Sequence, residues 1–416
     1  MLSAISRCRA LASHAGLPFI TLTGILCACS GSRGGAPQVG VALRDSLSCG
    51  AGPAADRTDP WLPSDSHYAR TAVQGNSPDT WFAQISGAAL VGGHLYVFDA
   101  QAARILVFDD RLTSLVGSFG SKGEGPGEFR GAAASNEYGP PRWLMPGAQG
   151  ELIVFDGYRI QRFGADGRYL GLAMSSPAAA GLTLNTPRFG WAHDSLYFSA
   201  GGYDYLSLTS MGLASGNSSP VFYGRVAARG HRRDLLAMPL PRLPRGTVGS
   251  RQAMPVWAFG PKCLWASDGS RPVFYRVRRD GTGRDSMVLD LQLPDPPLEW
   301  DTDVDSLLRQ THNNVPLAKP TALWRIRDLL FDPADYLWIR LNPKRSSDLG
   351  VGVAAVDPES GKTVVFQVPA FPLAFGAPGV FYAATRDSMN RPLIGRFAAS
   401  RGAEADSTSS HPWPEE

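Results

Sequence analysis

Short apolar runs broken by turn residues recur along most of the chain, and no long stretch carries the 3.6-residue period of an amphipathic helix. Gly93-His-Leu95-Tyr-Val-Phe-Asp99 is followed by Arg104-Ile-Leu-Val-Phe108. The same order returns as Gly150-Glu-Leu152-Ile-Val-Phe-Asp156, then Arg159-Ile-Gln-Arg-Phe163 and the turn Ala165-Asp-Gly167. Fainter copies begin at Asp194-Ser-Leu196, Lys262-Cys-Leu264, Asp335-Tyr-Leu337 and Gly379-Val-Phe381. The first strong apolar residues therefore stand at 95, 152, 196, 264, 337 and 381, with a mean spacing of about 57. Each copy reads as a Gly-containing turn, a short apolar or aromatic strand, an Asp or small residue, and a second strand closing on Phe or Tyr. The Asp-Gly pairs at 166 and 280 suit hairpin turns, where a positive φ is needed.

A unit of this length holds about four strands, and such a sheet cannot bury both faces alone. Units of this kind must stack, and radial stacking does so while leaving only short edges. The pattern predicts an all-β chain: a six-bladed β-propeller of four-stranded blades over residues 61–400. The segment His67–Val73 is expected to pair as a strand with the last blade, which begins near Phe375, so that the ring closes. One short inserted helix is expected at Asp303-Val-Asp-Ser-Leu-Leu-Arg-Gln310, capped by Asp301 or Asp303.

Composition agrees with many short strands. Gly (46) and Pro (33) make up close to a fifth of the 416 residues, while apolar residues at 44% exclude disorder for most of the length. Forty basic residues stand against 37 acidic ones, so no strong field calls for nucleic acid. Only 5 of the basic residues are lysine, a bias that fits GC-rich coding and lowers the weight of any single arginine.

The two ends differ from the middle. Arg7 and Arg9 precede the apolar run Leu17-Pro-Phe-Ile-Thr-Leu-Thr-Gly-Ile-Leu26, which is too short for a bilayer span and suits an export signal. It ends in Leu26-Cys27-Ala28-Cys29-Ser30, which resembles the bacterial lipobox. That resemblance implies a signal peptide over 1–28, cleavage before Cys29, and lipidation of Cys29. Ser30 resembles the residue that sorts lipoproteins to the outer membrane. Residues 29–60 are small and polar and read as a flexible tether; residues 401–416 read as a disordered tail. Cys49 and Cys263 remain in the exported chain, either as a disulfide or as two separate thiols with Cys263 buried.

Arg104-Ile-Leu-Val-Phe108 with Phe119-Gly-Ser-Lys-Gly-Glu-Gly-Pro-Gly-Glu-Phe129 resembles an NHL repeat, and the whole chain resembles bacterial NHL-like six-bladed propeller lipoproteins. The resemblance implies the fold and the envelope address, and hardly any activity. The glycine-rich run has no helix start after it, as a phosphate cradle would need. Gly123, Gly125 and Gly127 are expected to permit a tight crossing between blades, with Phe129 wedged between them.

Candidate chemistry is sparse. The stretch Arg225–Arg251 carries seven arginines against one aspartate and is read as an insertion between two blades, on the face where crossings emerge. Arg229, Arg232, Arg233, Arg242 and Arg245 form the candidate ligand face. Guanidinium groups there suit an envelope protein with an acidic patch, an anionic saccharide or a lipid headgroup. Asp301-Thr-Asp303-Val-Asp305 imitates the opening of a calcium loop, but Ser306 and His312 stand where Gly and Glu are required. The histidines show no metal-binding spacing, and no catalytic residue, metal site or cofactor is assigned. The function expected is that of a membrane-anchored binding or scaffolding module of the bacterial cell envelope, with no nucleic-acid partner. The alternative is a metal-dependent hydrolase or lyase of the lactonase-like propeller kind, whose ligands would be dispersed over several blades.

Overall fold

The computed structural model describes Leu47, Cys49 and residues 67–130, 144–156, 159–174, 189–192, 195–203, 218–227, 232–238, 255–260, 262–295, 323, 325–342 and 350–400. These form 24 strands in six four-stranded antiparallel sheets. The first sheet orders β2 (Ile85–Val91), β3 (His94–Asp99), β4 (Arg104–Asp109) and β5 (Leu115–Phe119). The second orders β6 (Leu144–Pro146), β7 (Leu152–Phe155), β8 (Ile160–Phe163) and β9 (Tyr169–Met174). The third holds β10 (Phe189–Ala192), β11 (Ser195–Tyr203), β12 (Ser218–Ala227) and β13 (Arg232–Met238). The fourth holds β14 (Val256–Phe259), β15 (Cys263–Ser267), β16 (Val273–Arg278) and β17 (Arg284–Val288). The fifth holds β18 (Ile326–Phe331), β19 (Leu337–Leu341), β20 (Val351–Val356) and β21 (Thr363–Val368). The last joins β22 (Ala374–Phe375), β23 (Val380–Arg386) and β24 (Pro392–Ser400) to β1 (His67–Gln74). β1 takes the outer position, in register from His67↔Ser400 to Gln74↔Ile394.

The first strands of neighbouring sheets adjoin: β2 lies against β6 and β22, β6 against β10, and β14 against β18. β3, β7 and β15, the second strands of their sheets, are buried on both faces. Outer strands alternate instead, β5 and β17 exposing every second residue at the rim. That difference is why the sequence pattern is clearest at the second strands.

Each seam has its own filling. Phe98, Phe129 and Phe163 meet between the first and second sheets, with Phe129 fully buried and 5.1 Å from Phe98 by ring centroids. Tyr197 stacks edge-on over Phe259 at 4.2 Å between the third and fourth. Trp265, Phe274, Leu329 and Ile339 fill the fourth seam; Tyr68, Trp338 and Phe381 fill the fifth. Phe108, Leu95, Ile394 and Tyr382 close the ring between the last sheet and the first.

The expected architecture is corrected at the helix. The expected inserted helix is not found among the described residues: its own residues, 303–310, lie outside them, and the sole helical element among them is a 3-10 turn at Ala148–Gly150 in which Gln149 turns left-handed (φ 57°). Every described apolar run has strand length and is bounded by turn residues, so none of them carries a helical stripe. The third sheet is described by backbone pairing, and of its side chains only Ser195, Tyr197, Leu235, Leu236 and Ala237 are described.

The disulfide left open by the sequence is present, Cys49 to Cys263. Leu47 and Cys49 are therefore not part of a free tether: Cys49 is fully buried in the seam between the fourth and fifth sheets, and Leu47 packs against it.

Candidate functional site

Four antiparallel strands put their connections on two opposite faces of the ring. The first-to-second and third-to-fourth strand turns emerge on one, called here the hairpin face. The second-to-third turns and the crossings to the next sheet emerge on the other, the crossing face. Hydrogen bonds between neighbouring sheets respect this division. Tyr96 in β3 donates its hydroxyl to Ala165 O in the next sheet's hairpin, and Tyr382 in β23 donates to Asp110 O of the first sheet. Burial raises the pKa of both phenols, keeping them donors. In the fourth sheet the residue aligned with Tyr96 is Trp265. Arg276 lies over its ring at 5.2 Å and donates to Pro358 O in the fifth sheet's hairpin, 3.1 Å away, which makes the tie instead.

The crossing face is held by paired Asp and Arg side chains. Asp156, fully buried at the end of β7, accepts from Arg159 N and from Arg159 Nε, both at 3.0 Å. Arg159 then donates to Glu124 O, Gly125 O and Glu128 O, so one guanidinium grips the crossing that enters its own sheet. Gln161 adds a bond to Glu128 O at 2.7 Å. Asp99 accepts from Ala83 N and Gln84 N, while Arg104 donates to Trp81 O. Asp268 receives Arg271 through two guanidinium nitrogens.

The glycine-rich loop lies inside this clamp, where it forms the tight crossing expected from its sequence. A Cβ on Gly120 (φ +88°) would fall 2.2 Å from the Phe129 ring, and one on Gly123 would fall 2.1 Å from the Glu128 carboxylate. Glu128 in turn accepts from Gly125 N at 2.7 Å. The loop's amides are turned inward to Glu128 and to backbone carbonyls.

Of the residues singled out from the sequence, Cys29, Arg229, Arg242 and Arg245 lie outside the described residues. Arg232 and Arg233 open β13, and Arg225 stands in β12 directly opposite Arg233. The stretch from Arg225 is thus not one inserted loop. Its first part builds the outer two strands of the third sheet. Asp301 to Asp305 and His312 also lie outside the described residues. Among the described residues no group of three or more His, Cys, Asp or Glu side chains could hold a metal ion, and no helix is long and apolar enough to cross a membrane.

One carboxylate that sequence reasoning passed over is unusual. Asp332, in the hairpin-face turn of the fifth sheet, is buried, and burial raises its pKa to about 6. Ala334 N, Tyr336 N and Trp338 Nε1 all donate to it at 2.9 Å, and the charge of Asp335 adds to the rise. The pKa of Tyr68 is raised by burial and then by Asp332. The visible signal was an Asp six residues before a tryptophan, which reads equally as an ordinary turn.

No family model and no curated protein matches the chain. Solved structures similar in fold include a gluconolactonase of Xanthomonas campestris (17% identity over 82% of this chain and 91% of that one, TM-score 0.43). A DUF4221-family protein of Bacteroides vulgatus is 8% identical over 81% and 99% of the two chains (TM-score 0.48). A streptogramin B lyase is 10% identical over 80% and 98% (TM-score 0.37). The β-propeller architecture of the chain rests on its own sheets of four strands, and at such identities and TM-scores the likeness extends to no activity.

Proposed function

We propose that the chain is an exported, lipid-anchored propeller lipoprotein of the NHL-repeat kind, acting as a binding or scaffolding module of the bacterial cell envelope. The observation that carries this is the Cys49–Cys263 pairing across 214 residues. Bridges of this kind persist in oxidising compartments and not in the cytosol, which agrees with an export signal ending in the lipobox-like Leu26-Cys27-Ala28-Cys29. With Cys49 and Cys263 paired, Cys29 is the cysteine of the exported chain left for acylation. Acylation at several chains supplies the stable attachment that one chain cannot. Arg229, Arg232, Arg233, Arg242 and Arg245 remain the candidates for an anionic ligand.

The test is fractionation of cells expressing the full chain. Wild type is expected in the membrane fraction and, after detergent extraction, without a free thiol at positions 49 and 263. Cys29→Ser is expected to remain unprocessed or to become soluble. Unchanged membrane fractionation of Cys29→Ser would reject the anchor, and free thiols at 49 and 263 in the wild type would reject export.

A further inference from the structure

The hairpin face is electrically uneven. Its first sheet presents Asp109 and Asp110 beside Arg111 at the outer hairpin, and its fifth presents Asp335, Asp357 and Glu359 beside Lys362. The fourth sheet presents Lys262, Arg278 and Arg284, all exposed, where β15, β16 and β17 begin or end, against one exposed acid, Asp280, which accepts from Thr282 N and Oγ1. Arg279, beside them, is held down on Gly260 O and over the Phe259 ring. Asp285, the acidic residue next to Arg284, is already engaged by Arg276 through two nitrogens and by Leu47 N.

The N-terminal segment is fastened at this same end. Leu47 N donates to Asp285 Oδ2 at 3.0 Å, the Leu47 side chain lies where a Cβ on Gly283 would fall, and Cys49 is bonded to the first residue of β15. Eighteen positions separate Cys29 from Leu47, a chain that extends at most ~60 Å. An acyl group on Cys29 would thus be attached to the propeller at the fourth sheet's hairpin end.

We propose that the hairpin end of the fourth sheet is a membrane-apposed surface that takes anionic lipid headgroups beside the fastened Leu47 and Cys49. Clustered Lys and Arg gain attraction from an anionic bilayer surface that decays within a Debye length. The proposal rests on the envelope reading for its setting, but the surface itself is testable without acylation.

Full-chain protein carrying Cys29→Ser, with no lipid attached, is sedimented with vesicles of phosphatidylcholine containing about 30% phosphatidylglycerol, and with vesicles of phosphatidylcholine alone. Binding is expected to the anionic vesicles only, and to weaken roughly tenfold or more between about 0.1 and about 0.5 M salt. Adding Lys262→Gln, Arg278→Gln and Arg284→Gln should weaken it by about a hundredfold, three charges at ~1 kcal/mol each. A matched crossing-face variant, Lys122→Gln with Arg130→Gln and Arg386→Gln, should bind like its parent. Equal binding to both vesicle types, or an equal loss in the crossing-face variant, would overturn the proposal. A retained far-UV spectrum and the absence of free thiols at 49 and 263 in each variant exclude misfolding as the cause. Failure here leaves the acylation of Cys29 untouched, and soluble wild-type protein in the fractionation leaves this surface untouched.

Discussion

Asp332 shows how a single buried carboxylate sets a pH dependence. Three N–H donors compensate its charge only in part, and burial keeps its pKa near 6 against ~3.9 in an unfolded chain. The native state therefore binds this proton more tightly than the unfolded state. The stabilisation is fully present below about pH 4 and is lost as pH rises through 6. Acidification from pH 7 to 4.5 should raise the urea midpoint of wild type relative to Asp332→Asn, by a difference on the order of 2 kcal/mol. Parallel midpoints of the two proteins across that range would show that Asp332 is ionised as easily in the fold as outside it. Asp109 behaves in the other direction. Burial pushes its pKa up, but hydrogen bonds from Ser114 and Thr113 hold it well below the usual carboxylate range. Its contribution is lost only at pH values below the Asp332 window.

Arg159 supports a sharper expectation, because its guanidinium faces a fully buried carboxylate and three carbonyls together. Arg159→Ala leaves Asp156 buried without its counter-charge, a change that costs about 3–5 kcal/mol. Arg159→Lys keeps the charge but lacks the planar fork needed to reach Asp156 and the crossing carbonyls at once. Chemical denaturation should therefore place the lysine variant nearer to alanine than to wild type. A lysine variant as stable as wild type would mean that charge, and not the fork, holds the crossing.

At the scale of elements, legibility followed burial. Second strands such as β3 and β15 are covered on both faces, so their sequences are continuous apolar runs that stand out from the turns beside them. The Asp99 and Asp156 turns and the Phe129 wedge were legible for the same reason, since each needs a particular residue type at a fixed offset. The outer strands were not. β12 and β13 carry Arg225, Arg232, Arg233 and Asp234, polar residues that a rim strand tolerates and that read as a loop. The arginine cluster was consequently assigned to a crossing, although part of it builds a sheet. The partner of Cys263 was hidden differently. Cys49 stands in small, polar sequence whose composition gives no reason to expect burial, and the bond spans 214 positions. Closing a loop of that size restricts the unfolded chain by about 5 kcal/mol at most on the loop-entropy account. Cys49→Ala with Cys263→Ala should lower unfolding free energy by a large part of that, and reduction of the denatured wild type before refolding should have the same effect. No change in either experiment would show that the segment at Leu47 and Cys49 is held by its packing and by Asp285 alone.

The whole molecule depends on closing the ring, and two fastenings share that task. β1 supplies the outer strand of the last sheet through its pairing with β24, and it brings Tyr68 into the fifth seam against Phe381 at 5.0 Å and Trp338 at 6.1 Å. The disulfide fastens the chain before β1 to the fourth sheet. These two contributions separate by truncation. A chain starting at residue 67 keeps β1 and loses the disulfide, so it should stay monomeric and unfold at lower denaturant concentration. A chain starting at residue 75 loses β1 as well. It bares the edge of β24 and one side of the Tyr68 seam, and an unpaired strand edge is a template for pairing with another chain. Light scattering after gel filtration should then show concentration-dependent association, and a peptide of residues 67–74 should reverse it by occupying the vacant strand position. If the shorter chain remains monomeric with the stability of the longer one, closure lies in the seam between Tyr382 and Asp110, and β1 is only its cover.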